Sequence, residues 1–400
     1  MDEEFIELNK QAREEGKKYP KKRDIYTNLF ATLNEREHTA IVGPRGSGKT
    51  VLLKQLLVEN EGAFYVSLDA IQPEEGLFKL AKELNDSGTK LLLLDEIHGY
   101  PGFDIELKKI YDFIGIKIVL TSSSSLVLHE LAADLSRRIR IIKLYPFSFR
   151  EYLIFQHGER LEHITLKMIF DVVSSRKYYG SVLHIEPYFK EYLHGGNYPI
   201  SLGRKEVLPL LKNVLETVIN KDLIRTGKIM HDETLDITRL VAFLGKSHPE
   251  DMNYTSIGKN IGISRYRAEK YIDLLEKAFI LHRVKPEGHS VMKEPKVLLA
   301  LPYRLLYRQY DECVGALRED FFVDSIVQLG FEAAYLKTNR GKKTPDYVIN
   351  NAVFEIGGMK KGHSQFKGFI TEQRIILTQP GTIDSIRRPL FFIGLLEQKG

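Results

Sequence analysis

In the first 145 residues the apolar positions gather into short, nearly continuous runs: His38-Thr39-Ala40-Ile41-Val42, Ala63-Phe64-Tyr65-Val66-Ser67-Leu68, Leu91-Leu92-Leu93-Leu94, Ile116-Lys117-Ile118-Val119-Leu120-Thr121 and Ile139-Arg140-Ile141-Ile142-Lys143-Leu144. Such runs predict strands, and the unbroken Leu91–Leu94 run predicts one buried on both faces of a parallel sheet. Between them the spacing turns helical, at Val51-Leu52-Leu53-Lys54-Gln55-Leu56-Leu57 and Leu77-Phe78-Lys79-Leu80-Ala81. This alternation predicts an α/β unit over residues 1–145, a parallel sheet with helices on both faces.

From 146 to 250 the pattern is helical, starting at Phe147-Ser148-Phe149-Arg150-Glu151-Tyr152-Leu153 and continuing from Leu208 to Arg225, with a turn at Gly195-Gly196-Asn197-Tyr198-Pro199. Residues 251–300 read as a winged helix-turn-helix. Ser256–Ile261 is a short helix, Gly262 a turn, Ser264 a cap and Arg265–Lys277 a longer amphipathic helix, and Ala278–Val284 resembles the strand that opens a wing. Residues 301–400 return to α/β: a helix over Asp320–Gln328, strands at Phe331–Leu336 and Thr344–Ile349, and an Asn350-Asn351 turn into Ala352–Gly357.

At 400 residues, 43% hydrophobic and 28% charged, the chain has the makeup of a folded protein of about two to four units. A net charge of +5 permits nucleic acid as a partner without demanding it, so any basic footprint is local. Cys313 is the single cysteine, which excludes an internal disulfide and a thiolate metal cluster. Met1-Asp2-Glu3-Glu4-Phe5 does not read as a signal peptide, and the apolar stretch Pro389–Leu396 is too short to span a bilayer, so a cytoplasmic location is expected. The basic run Lys17–Arg23 reads either as a solvated lead-in or as a contact to a nucleotide base or nucleic acid.

The strongest chemistry follows the first strand. Gly43-Pro44-Arg45-Gly46-Ser47-Gly48-Lys49-Thr50 fits G-x-x-x-x-G-K-[ST], between a strand and a helix as that motif requires. The glycines let backbone N–H groups wrap a polyphosphate, the helix adds its positive end, Lys49 reaches the β- and γ-phosphates, and Thr50 is a ligand for Mg²⁺. The nucleotide is expected on Gly43, Pro44, Arg45, Gly46, Ser47, Gly48, Lys49, Thr50 and Val51. Asp95 and Glu96 end the Leu91–Leu94 run at the carboxyl edge where α/β sheets bind ligands; Asp95 would hold Mg²⁺ and Glu96 would polarise the attacking water. Thr121 or Ser122, at the start of the Ser122–Ser125 run, is the expected γ-phosphate sensor, although that run also suits a helix cap. Arg137 and Arg138 precede the last strand and are candidates to stabilise transition-state charge, in this chain or a neighbour's, or else are surface charge.

Two further constellations lie downstream. Seven basic residues against three acidic ones fall between Tyr254 and Lys285, with Arg265, Arg267 and Lys270 at the front of the second helix, where a recognition helix meets DNA. The other reading is a packing or protein-docking module. Asp346 and Glu355 fall on adjacent strands of a hairpin, either close enough to share a divalent metal or simply solvated.

Together these residues resemble an archaeal-type AAA+ family ATPase, in which a P-loop core is followed by helices, a winged helix and a small α/β domain like the PD-(D/E)xK nucleases. The resemblance rests on Gly43–Thr50, on Leu91–Glu96 with Ile97-His98, on Leu120–Ser124, and on the run from Ser136 to Tyr152 with Pro146–Glu151. It implies ATP and Mg²⁺ as cofactors, Glu96, Lys49, Arg137 and Arg138 as catalytic groups, and ATP hydrolysis that switches the C-terminal module. DNA is the expected partner, and a homo-oligomer is compatible with the family. The alternatives are a nucleotide-dependent protein scaffold without DNA contact and an ATP-gated nuclease. Pro345-Asp346 and Glu355 match the nuclease pattern, but Gly357 stands where its lysine belongs, so an inactive domain is expected unless Lys360 or Lys361 substitutes.

Overall fold

The computed structural model describes residues 3–123, 135, 137–204, 206–225, 227–249, 252–288, 294–336, 345–359, 361–362, 366 and 373–398. They form two compact units, Met1–Pro146 and Phe147–Gly400.

In the first unit, α1 (Glu3–Gly16) precedes β1 (His38–Val42), α2 (Lys49–Glu59), β2 (Ala63–Ser67), α3 (Leu77–Asp86), β3 (Leu91–Asp95), α4 (Phe103–Phe113), β4 (Lys117–Ser122) and β5 (Ile139–Lys143). All five strands are parallel, in the order β2-β3-β4-β1-β5. Successive side chains of a strand face opposite ways. Phe64, Val66, Leu92 and Leu94 accordingly join one apolar layer with residues of α3 and α4, while Tyr65, Leu91 and Leu93 join another with α1 and α2. The expected two-faced burial of the leucine run is observed. The partly exposed β5 ends the sheet.

The second unit begins with short helical segments from Phe149 to Arg225, followed by α5 (Glu233–Lys246), α6 (Tyr254–Ile261) and α7 (Arg265–Lys277). Next come β6 (Leu281–Pro286), β7 (Lys296–Leu299), α8 (Tyr310–Gln328), β8 (Ala334–Tyr335), β9 (Tyr347–Ile349), β10 (Ala352–Gly357), β11 (Arg374–Thr378) and β12 (Arg387–Pro389). The Ser264 hydroxyl caps α7 by accepting from Arg267 N, and β6 and β7 pair antiparallel. β6 also pairs with β8, which places that hairpin in a seven-stranded sheet, β12-β11-β10-β9-β8-β6-β7. The three segments expected after residue 145 thus pack as one unit.

The strand expected over Phe331–Leu336 shortens to Ala334–Tyr335 because α8 ends in a Schellman turn. Gly330, at φ +77°, donates to Val327 O and Phe331 donates to Ile326 O, so the first residues of the run close the helix. The hairpin turn is as expected: Asn350 and Asn351 both have positive φ and Ile349 pairs with Ala352.

A buried ion pair ties this unit together. The Arg304 guanidinium meets Asp320 of α8 at 2.6 and 3.0 Å and donates to Leu244 O and Ser247 O at the end of α5. Asp320→Ala leaves that cation unpaired in the core and should cost about 3–5 kcal/mol. The check is urea unfolding followed by tyrosine emission, since the chain has no tryptophan.

Candidate functional site

Residues 43–48 link the C-terminal end of β1 to α2, and the backbone dictates their glycines. A Cβ at Gly43 would lie 2.0 Å from the Leu144 carbonyl, while Gly46 and Gly48 have φ of 81° and 96°. The Ser47 hydroxyl is buried with no hydrogen-bond partner among the described residues, as a group awaiting a phosphate oxygen would be. Lys49 is 5% exposed and donates to the carbonyls of Gly43 and Pro44 at 2.9 and 3.1 Å, so its ammonium lies inside the loop. From the basic lead-in, Arg23 donates to Ser47 O, Tyr145 O and Pro146 O, bracing the loop from behind. Neither sequence reading of that segment gave it this task.

The acidic pair ends β3, with β4 between it and the P-loop strand. Asp95 is 3% exposed; its Oδ2 accepts from the Tyr65 hydroxyl of β2 at 2.8 Å and its Oδ1 from the Thr121 hydroxyl of β4 at 2.5 Å. Thr121 Oγ1 also accepts from the backbone N–H of Glu96. Thr121 therefore fixes the acidic pair, and its hydroxyl is committed there. Two residues on, Ser123 Oγ is buried without a partner among the described residues. Ser124, Ser125 and Ser136 lie outside the described residues.

Glu96 lies 3.1 Å from the ring of His98. Burial pushes its carboxyl up, but His98, Lys49 and Arg45 outweigh that and bring it to about 2. A polyphosphate taking up the charges of Lys49 and Arg45 would weaken that pull and raise the proton affinity of Glu96, the direction that its expected role as base calls for. Thr50 and Asp95 supply hard oxygen donors that suit Mg²⁺, which would neutralise charge on the terminal phosphates.

Arg137 and Arg138 lie at the opposite end of the sheet. Arg138 O accepts from His38 N at the start of β1, about 13 Å of strand from the P-loop, and its guanidinium pairs with Asp112 at 3.0 Å. That position speaks against a role toward the γ-phosphate of the same chain, and a role toward a neighbouring copy or plain surface charge are the two readings that stand.

In the second unit the basic front of α7 is neutralised from outside its own stretch. Arg265 pairs with Glu294 at 2.5 Å, Arg267 with Asp236 at 3.2 Å and Lys270 with Glu233 at 3.0 Å. Tyr266 is 77% exposed and Leu274 is buried.

The Asp346–Glu355 hairpin is not the solvated face that was the alternative. Glu355 is 1% exposed, the Lys361 ammonium contacts its Oε1, and a Cβ at Gly357 would lie 2.7 Å from Lys361 Cγ. The glycine makes room for a lysine arriving from the following loop, which corrects the expectation that these carboxylates lack one. Lys360 lies outside the described residues. Glu319 of α8 joins them, held by Lys296 at 2.6 Å and by the Tyr347 hydroxyl. Burial with Glu319 and Glu355 pushes Asp346 up to about 8. A cleft of about 300 Å³ adjoins, lined by His248, Arg308, Arg318, Glu319, Gly357 and Lys361 among others. No group of three or more His, Cys, Asp or Glu among the described residues is arranged to hold a metal. No described helix is long and apolar enough to cross a membrane.

Residues 35–153 match the family described as AAA domain, and residues 186–300 match a domain of unknown function. The chain is 30% identical over 369 residues to the uncharacterized protein MJ1637 of Methanocaldococcus jannaschii, covering 83% of this chain and 78% of that one. An uncharacterized protein of Haemophilus influenzae is 24% identical over 286 residues, 66% of each chain. Among solved structures, a Walker-type ATPase of Pyrococcus abyssi is 15% identical, with 71% of this chain and 94% of that one covered at a TM-score of 0.41. The Thermotoga maritima RuvB Holliday junction branch migration motor is 16% identical, with 68% and 89% covered at a TM-score of 0.27.

Lys49→Ala should abolish nucleotide binding or turnover, because it removes the ammonium that lies inside the loop. Glu96→Gln should retain ATP while slowing hydrolysis at least about a hundredfold. Phosphate release and titration with a fluorescent ATP analogue check both, and a Glu96→Gln variant with normal turnover removes Glu96 as the base.

Proposed function

The chain belongs to the same family as the Methanocaldococcus protein and its AAA domain makes it an ATPase, and we propose that Mg²⁺-dependent hydrolysis switches the state of its second unit, with DNA as that unit's partner. The observation that carries the reading is the joint presence in one chain of the P-loop and acidic-pair constellation and of a capped helix-turn-helix followed by an antiparallel hairpin, α6, α7, β6 and β7. Arg265, Tyr266 and Arg267 stand at the front of α7, where such helices meet a duplex.

The ion pairs on that helix sharpen the expectation. DNA phosphates compete with Glu294, Glu233 and Asp236 for the same cations, so binding exchanges partners instead of filling empty donors. Changing Arg265, Arg267 and Lys270 together to Glu should weaken DNA binding and lower the log–log salt slope by about one per lost phosphate contact. Glu294→Gln frees Arg265 and should tighten binding. DNA titrations at low and moderate salt, run beside ATPase rates with single- and double-stranded DNA, decide the matter. Turnover indifferent to DNA, with undiminished binding by the triple variant, returns α7 to protein docking and favours a nucleotide-dependent scaffold.

A second reading, an ATP-gated nuclease, is favoured by one observation: the Lys361 ammonium at Glu355, beside Asp346. A divalent metal would supply the activated water there, with Asp346 and Glu355 as its oxygen ligands. Cleavage of a DNA substrate should then require Mg²⁺ or Mn²⁺, stop on adding EDTA, and be lost in both Asp346→Ala and Lys361→Ala. Cleavage that survives both substitutions belongs to a contaminant and removes this reading.

A further inference from the structure

Among the described residues, Glu96 is one of four non-glycine residues with positive φ, at 54°. Such backbone is uncommon for a side-chain-bearing residue, and it persists where the surroundings enforce a direction. Here they do. The backbone N–H of Glu96 is held by Thr121, and its carbonyl accepts from Gly99 N at 3.0 Å, which starts the tight turn Ile97–Gly99. That turn is packed closely, since a Cβ at Gly99 would lie 2.6 Å from Asp69 Oδ1. It folds His98 back beneath the carboxylate two residues earlier.

The His98 side chain is 3% exposed, and its Nδ1 lies 3.1 Å from Glu96 Oε2. The contact has ion-pair distance but not hydrogen-bond alignment: neither ring nitrogen nor Oε2 has an aligned partner among the described residues. Buried polar atoms left this way lose their hydration without full return, so the arrangement is one that a small rotation improves. Catalytic hydrogen bonds in ligand-free sites are often loose in this manner and tighten when substrate arrives. The charges of Lys49 and Arg45 also act on this carboxylate, so the P-loop lies within electrostatic reach of it.

We infer that His98 is a positioning residue for ATP hydrolysis, its Nδ1–H gripping one carboxylate oxygen of Glu96 so that the other is presented to the attacking water. The inference rests on Glu96 as the base. A histidine that merely fills space would serve equally well as any side chain of similar bulk, and the two roles separate by substitution. The amide nitrogen of Asn reaches the place of Nδ1, whereas that of Gln reaches the place of Nε2.

His98→Ala should lower kcat about a hundredfold, the scale at which a misplaced catalytic group is felt, while affinity for a fluorescent ATP analogue stays close to wild type. His98→Asn should recover most of that loss and His98→Gln little of it. The Glu96→Gln/His98→Ala double variant should be no slower than Glu96→Gln alone, because the histidine acts through the carboxylate. Wild-type kcat in His98→Ala, an Asn variant no faster than the Gln one, or a further loss in the double variant each overturns the inference. Should His98→Ala fail to fold, by its circular dichroism melt, the comparison of Asn with Gln carries the test. Normal turnover in Glu96→Gln instead overturns the base itself, an outcome distinct from a slow Glu96→Gln beside a normal His98→Ala.

Discussion

Asp95 is a carboxylate removed from water at the end of an all-leucine strand, and burial of such a charge is tolerated only where other groups replace its hydration. Tyr65 from β2 and Thr121 from β4 do this, one on each oxygen. Because β2, β3 and β4 are consecutive in the sheet, this clamp joins three neighbouring strands, the Tyr65 hydroxyl reaching from the middle of β2 to the carboxyl end of β3. The same Thr121 oxygen receives the N–H of Glu96, so the backbone at the proposed base is anchored by the hydroxyl that also supports Asp95. Loosening any member moves both acids, which is why the sheet order matters more here than the composition of any one strand.

What could be read along the chain was whatever local chemistry determines. The P-loop is legible because its glycines answer backbone demands within a few residues, and the Asn350-Asn351 turn because two left-handed residues in sequence leave few alternatives. Tyr65 and Arg23 were not legible. Each acts across 30 or more positions, Tyr65 on Asp95 and Arg23 on Tyr145, and only strand order brings them there. His98 was in view two residues after the acid, within the run that carries the resemblance, but nothing in the sequence gave it a task, and only the turn Ile97–Gly99 brings its ring to the carboxylate. Lys361 was undervalued for a related reason. A motif fixes a lysine by its place in the chain, whereas the chemistry fixes only where the ammonium ends, and a long side chain passing over Gly357 reaches it from four residues further on.

The front of α7 shows the reverse error. Counting charges between Tyr254 and Lys285 yields a basic surface, yet the carboxylates that balance it, Glu233, Asp236 and Glu294, all lie outside that window. Helix α5 and the residues before β7 bring them alongside. A charge excess in sequence is therefore a statement about a segment, not about the surface that the segment helps to form. Partly exposed pairs of this kind contribute little to stability, roughly 0–1 kcal/mol each. Such pairs are correspondingly cheap to exchange for another anion, and a phosphate backbone offers many at once.

Both carboxylate centres rest with cations already in place. Lys49 lies against the carbonyls of its own loop and pulls on Glu96; Lys361 and Lys296 hold Glu355 and Glu319. The consequence differs with what must enter. A polyphosphate would bring negative charge to Lys49 and so weaken the pull of that lysine on Glu96, the proposed base. A divalent cation entering the second centre would instead compete with ammonium groups for the same oxygens, and burial beside Glu319 and Glu355, which favours the protonated form of Asp346, would oppose it as well. A polyphosphate and a divalent cation would thus meet opposite electrostatics at the two centres, the first offering cationic groups to an anion and the second holding ammonium groups against its carboxylates.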